Sequence, residues 1–309
     1  VHVARIAYLC DMKTSIITSL FVLTATLAGH CLKAGAQRVV VAKYLDNKSA
    51  ALSLTFDDGL SEHYTEVFPL LRRLGLRATF GLIGSRMGGT TSGQYKNIPC
   101  MTWEQAREMA AQGQEMTNHG YAHRNLSTLA GEEMRAEVQR NDTLIFSHTG
   151  VFPRTLIYPG NRRSEAATAF CERDRTCTRT RQVSLGGKCT EEWMDEYLRK
   201  LVADGGWGVT MTHAIANGYD HFEQPEVFTR LMEKVARMAH RLWIAPMRDV
   251  GAYVRQRDSV RLKVKFKRDR VIIRPTLKLD RTIYNMPLTI LVDGKPYNID
   301  PYRRKIVIR

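Results

Sequence analysis

The chain has 309 residues, 44% of them hydrophobic and 25% charged, with a formal net charge of +15. These are the proportions of a globular chain with room for one large α/β domain and a small appendage; no internal repeat or low-complexity tract is present, which sets repeat architectures aside. The charge is unevenly placed, because residues 259–309 carry fourteen Lys/Arg against four Asp.

Taken in order, the chain first shows a targeting pattern. Met12-Lys13 precede the apolar run "TSIITSLFVLTATLAG", and Ala34-x-Ala36 offers a cleavage site before Gln37. That is the pattern of a cleavable export signal, with residues 1–11 as an upstream extension, and it implies a secreted, periplasmic or cell-envelope protein. The run is too short and too rich in small residues for a permanent membrane span.

Next, "AALSLTF" alternates apolar and polar residues as a half-buried strand does, and it ends on Asp57, Asp58 and Gly59. "EHYTEVFPLLRRLG" places Tyr64, Val67, Phe68, Leu71 and Leu74 on one helical face, with a kink expected at Pro69 and a stop at Gly75. The strand "RATFGLIG" follows. Thr102 and Gln105 then form a capping box for the helix "WEQAREMAAQ". The strand "EMTNHG", a helix over 132–146, the strand "TLIYPG" and the amphipathic helix "TEEWMDEYLRKL" come next. "GWGVTMTH" and "RLWIA" read as strands, and "EQPEVFTRLMEKVARMAH" and "MRDVGAYVRQRD" as helices. Such alternation points to a parallel sheet, most simply a closed or nearly closed barrel, over residues 37–258. From residue 259 to 309 the period changes to that of strands joined by turns at "KRDR" and "DG", a small β-rich accessory unit.

Of six cysteines, Cys10 and Cys31 would leave with the leader. Cys100, Cys171, Cys177 and Cys189 remain, and disulfides around "CERDRTCTRTRQVSLGGKC" are expected, with free buried thiols as the alternative. No Cys-x-x-Cys pair is present to support a thiolate zinc site.

The chemistry gathers elsewhere. His119 and His123 are four residues apart, so on a helical turn both imidazoles would share a face and reach one cation. With one aspartate of the "LTFDDG" strand they make a three-ligand, open metal site. His213 ends another strand, and parallel barrels collect their chemistry at that rim.

"LTFDDG", "NHGYAH", "IYPGN" and "VTMTH", in that order, resemble the motifs of the polysaccharide deacetylase family (the NodB homology domain, carbohydrate esterase family 4) over roughly residues 49–257. The resemblance implies a distorted (β/α) barrel. It assigns Asp58, His119 and His123 as metal ligands, Asp57 as general base and His213 as general acid. Backbone at Tyr158, Pro159 and Gly160 would contact substrate. The implied activity is metal-dependent hydrolysis of N-acetyl or O-acetyl groups on a carbohydrate polymer or oligosaccharide. Zinc is the expected ion, since two imidazoles suit it better than magnesium.

The sequence also departs from the family. The third motif is usually Arg-x-Pro-aromatic-Gly, and Ile157 stands near the arginine's place; Arg154, Arg162 and Arg163 are the nearby substitutes. The Asp-x-x-Asp-Trp motif that backs the acid is not recognisable in "TRQVSLGG". A catalytically silent carbohydrate-binding protein is therefore the alternative. A glycosidase is excluded, because adjacent carboxylates on one strand cannot flank a glycosidic bond. His63, His148, His221 and His240 are assigned no role, His63 and His240 being placed among polar neighbours on helices. The basic accessory unit suits an anionic cell-wall surface, or else merely protects an edge strand, and no nucleic acid is expected.

Overall fold

The computed structural model describes residues 38–309. The expected export segment, with Cys10, Cys31 and the Ala34-x-Ala36 site, lies outside the described residues. β1 (Val39–Val41) comes first, and a longer strand follows, broken at Leu54 into β2 (Ala50–Ser53) and β3 (Thr55–Phe56). A π-helical turn over His63–Val67 runs into α1 (Phe68–Arg73). Then come β4 (Thr79–Leu82), α2 (Trp103–Ala111), β5 (Glu115–Asn118), α3 (Gly131–Thr149) and β6 (Thr155–Ile157). α4 (Glu165–Cys171), β7 (Cys177–Arg179), β8 (Val183–Ser184), α5 (Glu191–Asp204) and β9 (Trp207–Met211) continue the series, closed by α6 (Pro225–Arg237), β10 (Leu242–Ile244) and α7 (Met247–Ser259).

All pairings among β2 to β10 are parallel. β4, β5, β6 and β7 extend from β3 in that order, while β9 and then β8 extend the other way from β2. A bridge between Phe56 and Thr212 ties β3 to β9, so both halves of the broken strand hold one curled sheet together. β7 and β8 are not paired to each other, and the barrel stays open along that seam. β2, β4 and β5 are buried at every position, as parallel strands covered on both faces must be. Leu52, Leu54, Phe56, Phe80 and Leu82 centre the main core.

Three local expectations change. Pro69 falls in the first turn of α1, where no amide donor is needed, so the π-helical turn absorbs the irregularity and the proline breaks nothing. The cysteine-containing stretch is not a disulfide loop: it runs from the last residue of α4 through β7 and β8, and all four cysteines are free. His63 is wholly buried against Phe56 and Phe80.

The C-terminal segment contributes β11 (Arg261–Lys267), β12 (Arg270–Thr276), β13 (Leu288–Val292), β14 (Lys295–Ile299) and β15 (Ile306–Ile308). They form two antiparallel sheets of three strands, β11-β12-β15 and β1-β13-β14. Asp293 and Gly294 both have positive φ, 49° and 84°, which a tight two-residue hairpin requires. β1 pairs with β13 (Val39 opposite Val292), and Val250 and Tyr253 of α7 share a core with Val271, Ile273, Leu288 and Ile290. Residues 38–309 accordingly form one compact unit. Among the described residues no helix is long and apolar enough to cross a membrane.

Candidate active site

β3 ends at Phe56 and delivers two carboxylates in different directions. Asp57 turns inward and is 2% exposed, while Asp58 adopts φ +75°, a left-handed conformation that a non-glycine residue holds only at a cost. Its Oδ1 is buried without a hydrogen-bond partner. That oxygen lies 3.5 Å from His119 Nε2 and 3.7 Å from His123 Nε2.

His119 leaves the end of β5 fully buried. Its Nδ1 donates to the Ile157 carbonyl at 2.9 Å; a carbonyl only accepts, so Nδ1 carries the proton and Nε2 keeps a free lone pair. His123 stands edge-on to it, with ring centroids 4.8 Å apart. The two histidines share no helical turn. The segment is an irregular loop with positive φ at Gly120 (+79°) and His123 (+59°). Glu137 on α3 shapes that loop: its carboxylate accepts the amides of Ala122 (2.9 Å) and Arg124 (3.0 Å). A Cβ at Gly120 would lie 2.6 Å from Glu137 Oε1, so glycine is required there.

These residues suit a cation. The donor atoms of Asp58, His119 and His123 lie within 4.8 Å of one another. Burial lowers the pKa of both histidines, His123 to about 4 with the neighbouring His119 adding to the effect, so both rings are neutral near pH 7. An orphaned carboxylate oxygen, two neutral imidazoles and two strained backbones form an open three-ligand set.

Asp57 faces this triad from behind. Its Oδ2 lies 3.9 Å from His119 Nε2 and 3.9 Å from His213 Nε2, so one oxygen looks toward both the triad and the histidine across the site. Both carboxylate oxygens are held by Arg179, Oδ1 by Nη1 at 2.7 Å and Oδ2 by Nη2 at 2.6 Å. Burial alone would raise the Asp57 pKa, but the guanidinium, with His119 and His213, outweighs it and holds the carboxyl well below the usual range. The same guanidinium donates to Thr55 Oγ1 (2.7 Å) and Asn161 Oδ1 (3.2 Å).

Arg179 is the arginine that the third motif lacks. It sits on β7 directly opposite Ile157 in the parallel register, so the guanidinium enters at the same level of the sheet from the neighbouring strand. None of Arg154, Arg162 and Arg163 does this: Arg154 bonds the Asp174 carbonyl, and Arg162 and Arg163 line an open surface groove. The alternation in "TCTRTR", with Arg179 flanked by threonines, was the available signal.

His213 follows β9 and stands edge-on to Tyr219, ring centroids 4.9 Å apart. His63 Nε2 donates to its carbonyl at 2.6 Å, which gives His63 a part in holding the rim. Glu62 anchors the loop beyond by accepting the amides of Ile215, Ala216 (3.1 Å) and Asn217 (3.3 Å). His213 Nδ1 is buried without a partner, so among the described residues no carboxylate backs this ring. Tyr158 and Pro159 are buried, and the Tyr158 hydroxyl bonds Thr178 Oγ1 at 3.2 Å. Gly160 is exposed with φ +59°. His221 and His240 lie exposed, and His148 stacks on Trp103 outside the site.

Residues 45–173 match the family model for polysaccharide deacetylase. A presumed polysaccharide deacetylase of Bacillus subtilis is 28% identical over 120 residues, 39% of this chain and 40% of that protein. The peptidoglycan-N-acetylglucosamine deacetylase of Bacillus cereus is 26% identical over 111 residues, 36% of each chain. The chain thus spans 40% or less of the length of these two relatives. A solved structure of a presumed polysaccharide deacetylase from Mycobacterium smegmatis superposes with a TM-score of 0.55 at 14% identity, covering 71% of this chain and 94% of that one, and shows the fold to be the same. With its motifs in order on that fold, the chain is similar to the polysaccharide deacetylase family, the matched stretch being residues 45–173.

Proposed function

We propose that the protein is an exported, metal-dependent deacetylase that removes acetyl groups, in the first place N-acetyl groups, from a carbohydrate polymer or oligosaccharide. The observation that carries this reading is the buried Asp57, whose Oδ2 stands between the Asp58–His119–His123 cluster and His213. Export is supported by the sequence pattern of residues 12–36.

Asp58, His119 and His123 would hold the ion, and the two-imidazole, one-carboxylate donor set favours zinc. When bound, a divalent cation supplies the Lewis acidity that polarises an acetyl carbonyl and acidifies water, which a base as weak as Asp57 requires. Asp57 accepts the proton at Oδ2, and Arg179 keeps that oxygen aimed by its two-point grip. His213 Nε2, on the far side of Asp57, protonates the departing amine. The backbone around Tyr158–Gly160 and the Asn161 side chain border the space where the acetyl group would lie.

A second reading, a silent sugar-binding protein, draws on the unpartnered Nδ1 of His213, an acid without an orienting carboxylate. Acetate release from chitooligosaccharide, peptidoglycan fragments and acetylated xylan, with and without chelator, separates the two. Chelator-sensitive release from any of them supports the enzyme. Tight binding with no release from all three supports the silent protein.

A further inference from the structure

We propose that the outer face of the β11-β12-β15 sheet is a binding surface for an extended anionic polysaccharide. β11 alternates strictly: Arg261, Lys263, Lys265 and Lys267 are exposed, while Leu262, Val264 and Phe266 turn to the core. The middle strand continues the pattern. Lys263 lies directly opposite Arg274, and Lys267 opposite Arg270, on the same face. On the far strand Val307 pairs with Ile272, and continuing that register brings the exposed Lys305 and Arg309 beside Arg274 and Arg270. Two rows of cations thus flank a short apolar stripe of Ile272 and Val307, with charges repeating about every 6.8 Å along β11.

Of the segment's four aspartates only Asp269 reaches these rows, at one end, and the cations around Lys263, Lys265 and Arg274 have no aspartate partner among the described residues. Asp269 sits at the hairpin tip, 3.8 Å from Arg270; Asp280 caps Thr282; Asp293 accepts the Arg38 amide in a turn; and Asp300 pairs with Arg281. Like charges placed directly opposite one another destabilise a sheet. Protection of the β11 edge explains lysines on β11, but β12 is the middle strand and has no edge to guard. Stability is given up for charge density, which marks a face that meets a polyanion.

The class of polyanion follows from what the face lacks. It carries no aromatic side chain on which bases could stack, and its apolar stripe is two residues wide, too small to enter a bilayer. An anionic glycan needs neither. The proposal takes only the polysaccharide class from the function proposed above.

The test measures binding of the full chain to polygalacturonate and to its methyl ester across a salt series. Tight, salt-sensitive binding to the free acid and little to the ester is expected. Lys263→Gln/Lys265→Gln/Arg274→Gln should weaken binding at low salt at least about tenfold and lower the log–log salt slope by about three, since each lost contact releases fewer counterions. Arg107→Gln/Lys188→Gln/Lys295→Gln, which removes the same charge from three other exposed positions, should change affinity less than about twofold. Equal losses in the two triple variants, or equal binding of the ester, would overturn the proposal. So would tighter binding to single-stranded RNA or to phosphatidylglycerol vesicles. Acetate release from a small neutral substrate should be the same in both variants as in the wild type; if the wild type releases none, the deacetylase reading fails while the binding comparison still judges this face.

Discussion

Replacing Arg179 with isoleucine removes every hydrogen bond made to the side chain of Asp57 and leaves that carboxylate 2% exposed with its counter-charge gone. Breaking a buried pair from one side costs about 3–5 kcal/mol, because the remaining charge stays desolvated. For a domain of this size each kcal/mol is worth roughly 2–4 °C, so the midpoint should fall by roughly 10 °C in thermal denaturation. In metal-stripped protein the deficit should shrink in acid. The wild-type Asp57 pKa lies below its ordinary value of 3.8, so its stabilising contribution is present above that value and lost as pH falls through the folded pKa. Turnover should fall about a hundredfold, the scale of losing the aim of a reacting group, with KM little changed. Two further variants keep the argument testable if Arg179→Ile is poorly stable. Arg179→Lys keeps the charge but not the fork and should recover only part of the turnover. Ile157→Arg/Arg179→Ile returns the guanidinium to the strand opposite at the same register and should be more active than Arg179→Ile alone. Wild-type turnover and midpoint in Arg179→Ile would refute the reasoning.

Gly120→Ala should lower stability by about 1–3 kcal/mol and weaken metal binding in chelator competition, because its Cβ would meet Glu137 Oε1 at 2.6 Å in a left-handed backbone. His119→Ala should bind less than stoichiometric metal by elemental analysis, whereas a control at His240, exposed and distant in role, should remain loaded. In metal-stripped protein, denaturant unfolding should show stability falling as pH drops from 6.5 toward 4. The folded His123 pKa is depressed to about 4, so the unfolded chain takes up its proton first in that window. His123→Asn should flatten this dependence without abolishing it, since burial also depresses the pKa of His119 and His63.

The barrel and its rim were legible because each candidate group there sits where a regular pattern stops. Asp57 and Asp58 end an alternating strand, His119 follows a short buried one, and His213 closes "GWGVTMTH". The wrong local detail was the helical turn assumed for His119 and His123. Gly120 and His123 take left-handed backbone, and the acceptor that organises them, Glu137, comes from the middle of a helix where a glutamate ordinarily reads as surface. Arg179 stayed hidden for a similar reason. It lies in a stretch with Arg173, Arg175 and Arg181 nearby, on a three-residue strand, and the alternation in "TCTRTR" puts Arg179 and Arg181 on one face without saying which guanidinium turns inward. Only the pairing of β6 with β7 decides that, and pairing is long-range information. Likewise the union of β1 with the C-terminal strands depends on contacts across some 250 positions, which periodicity cannot register.

Asp57→Asn tests the central claim most directly, because it preserves size while removing the base and leaves the three metal ligands in place. The measurement is acetate release from an N-acetylated glycan, made beside metal analysis of the same sample. The account predicts one ion still bound and release at least about a hundredfold slower than in the wild type. Asp57→Asn that retains its ion and turns over at the wild-type rate would contradict it.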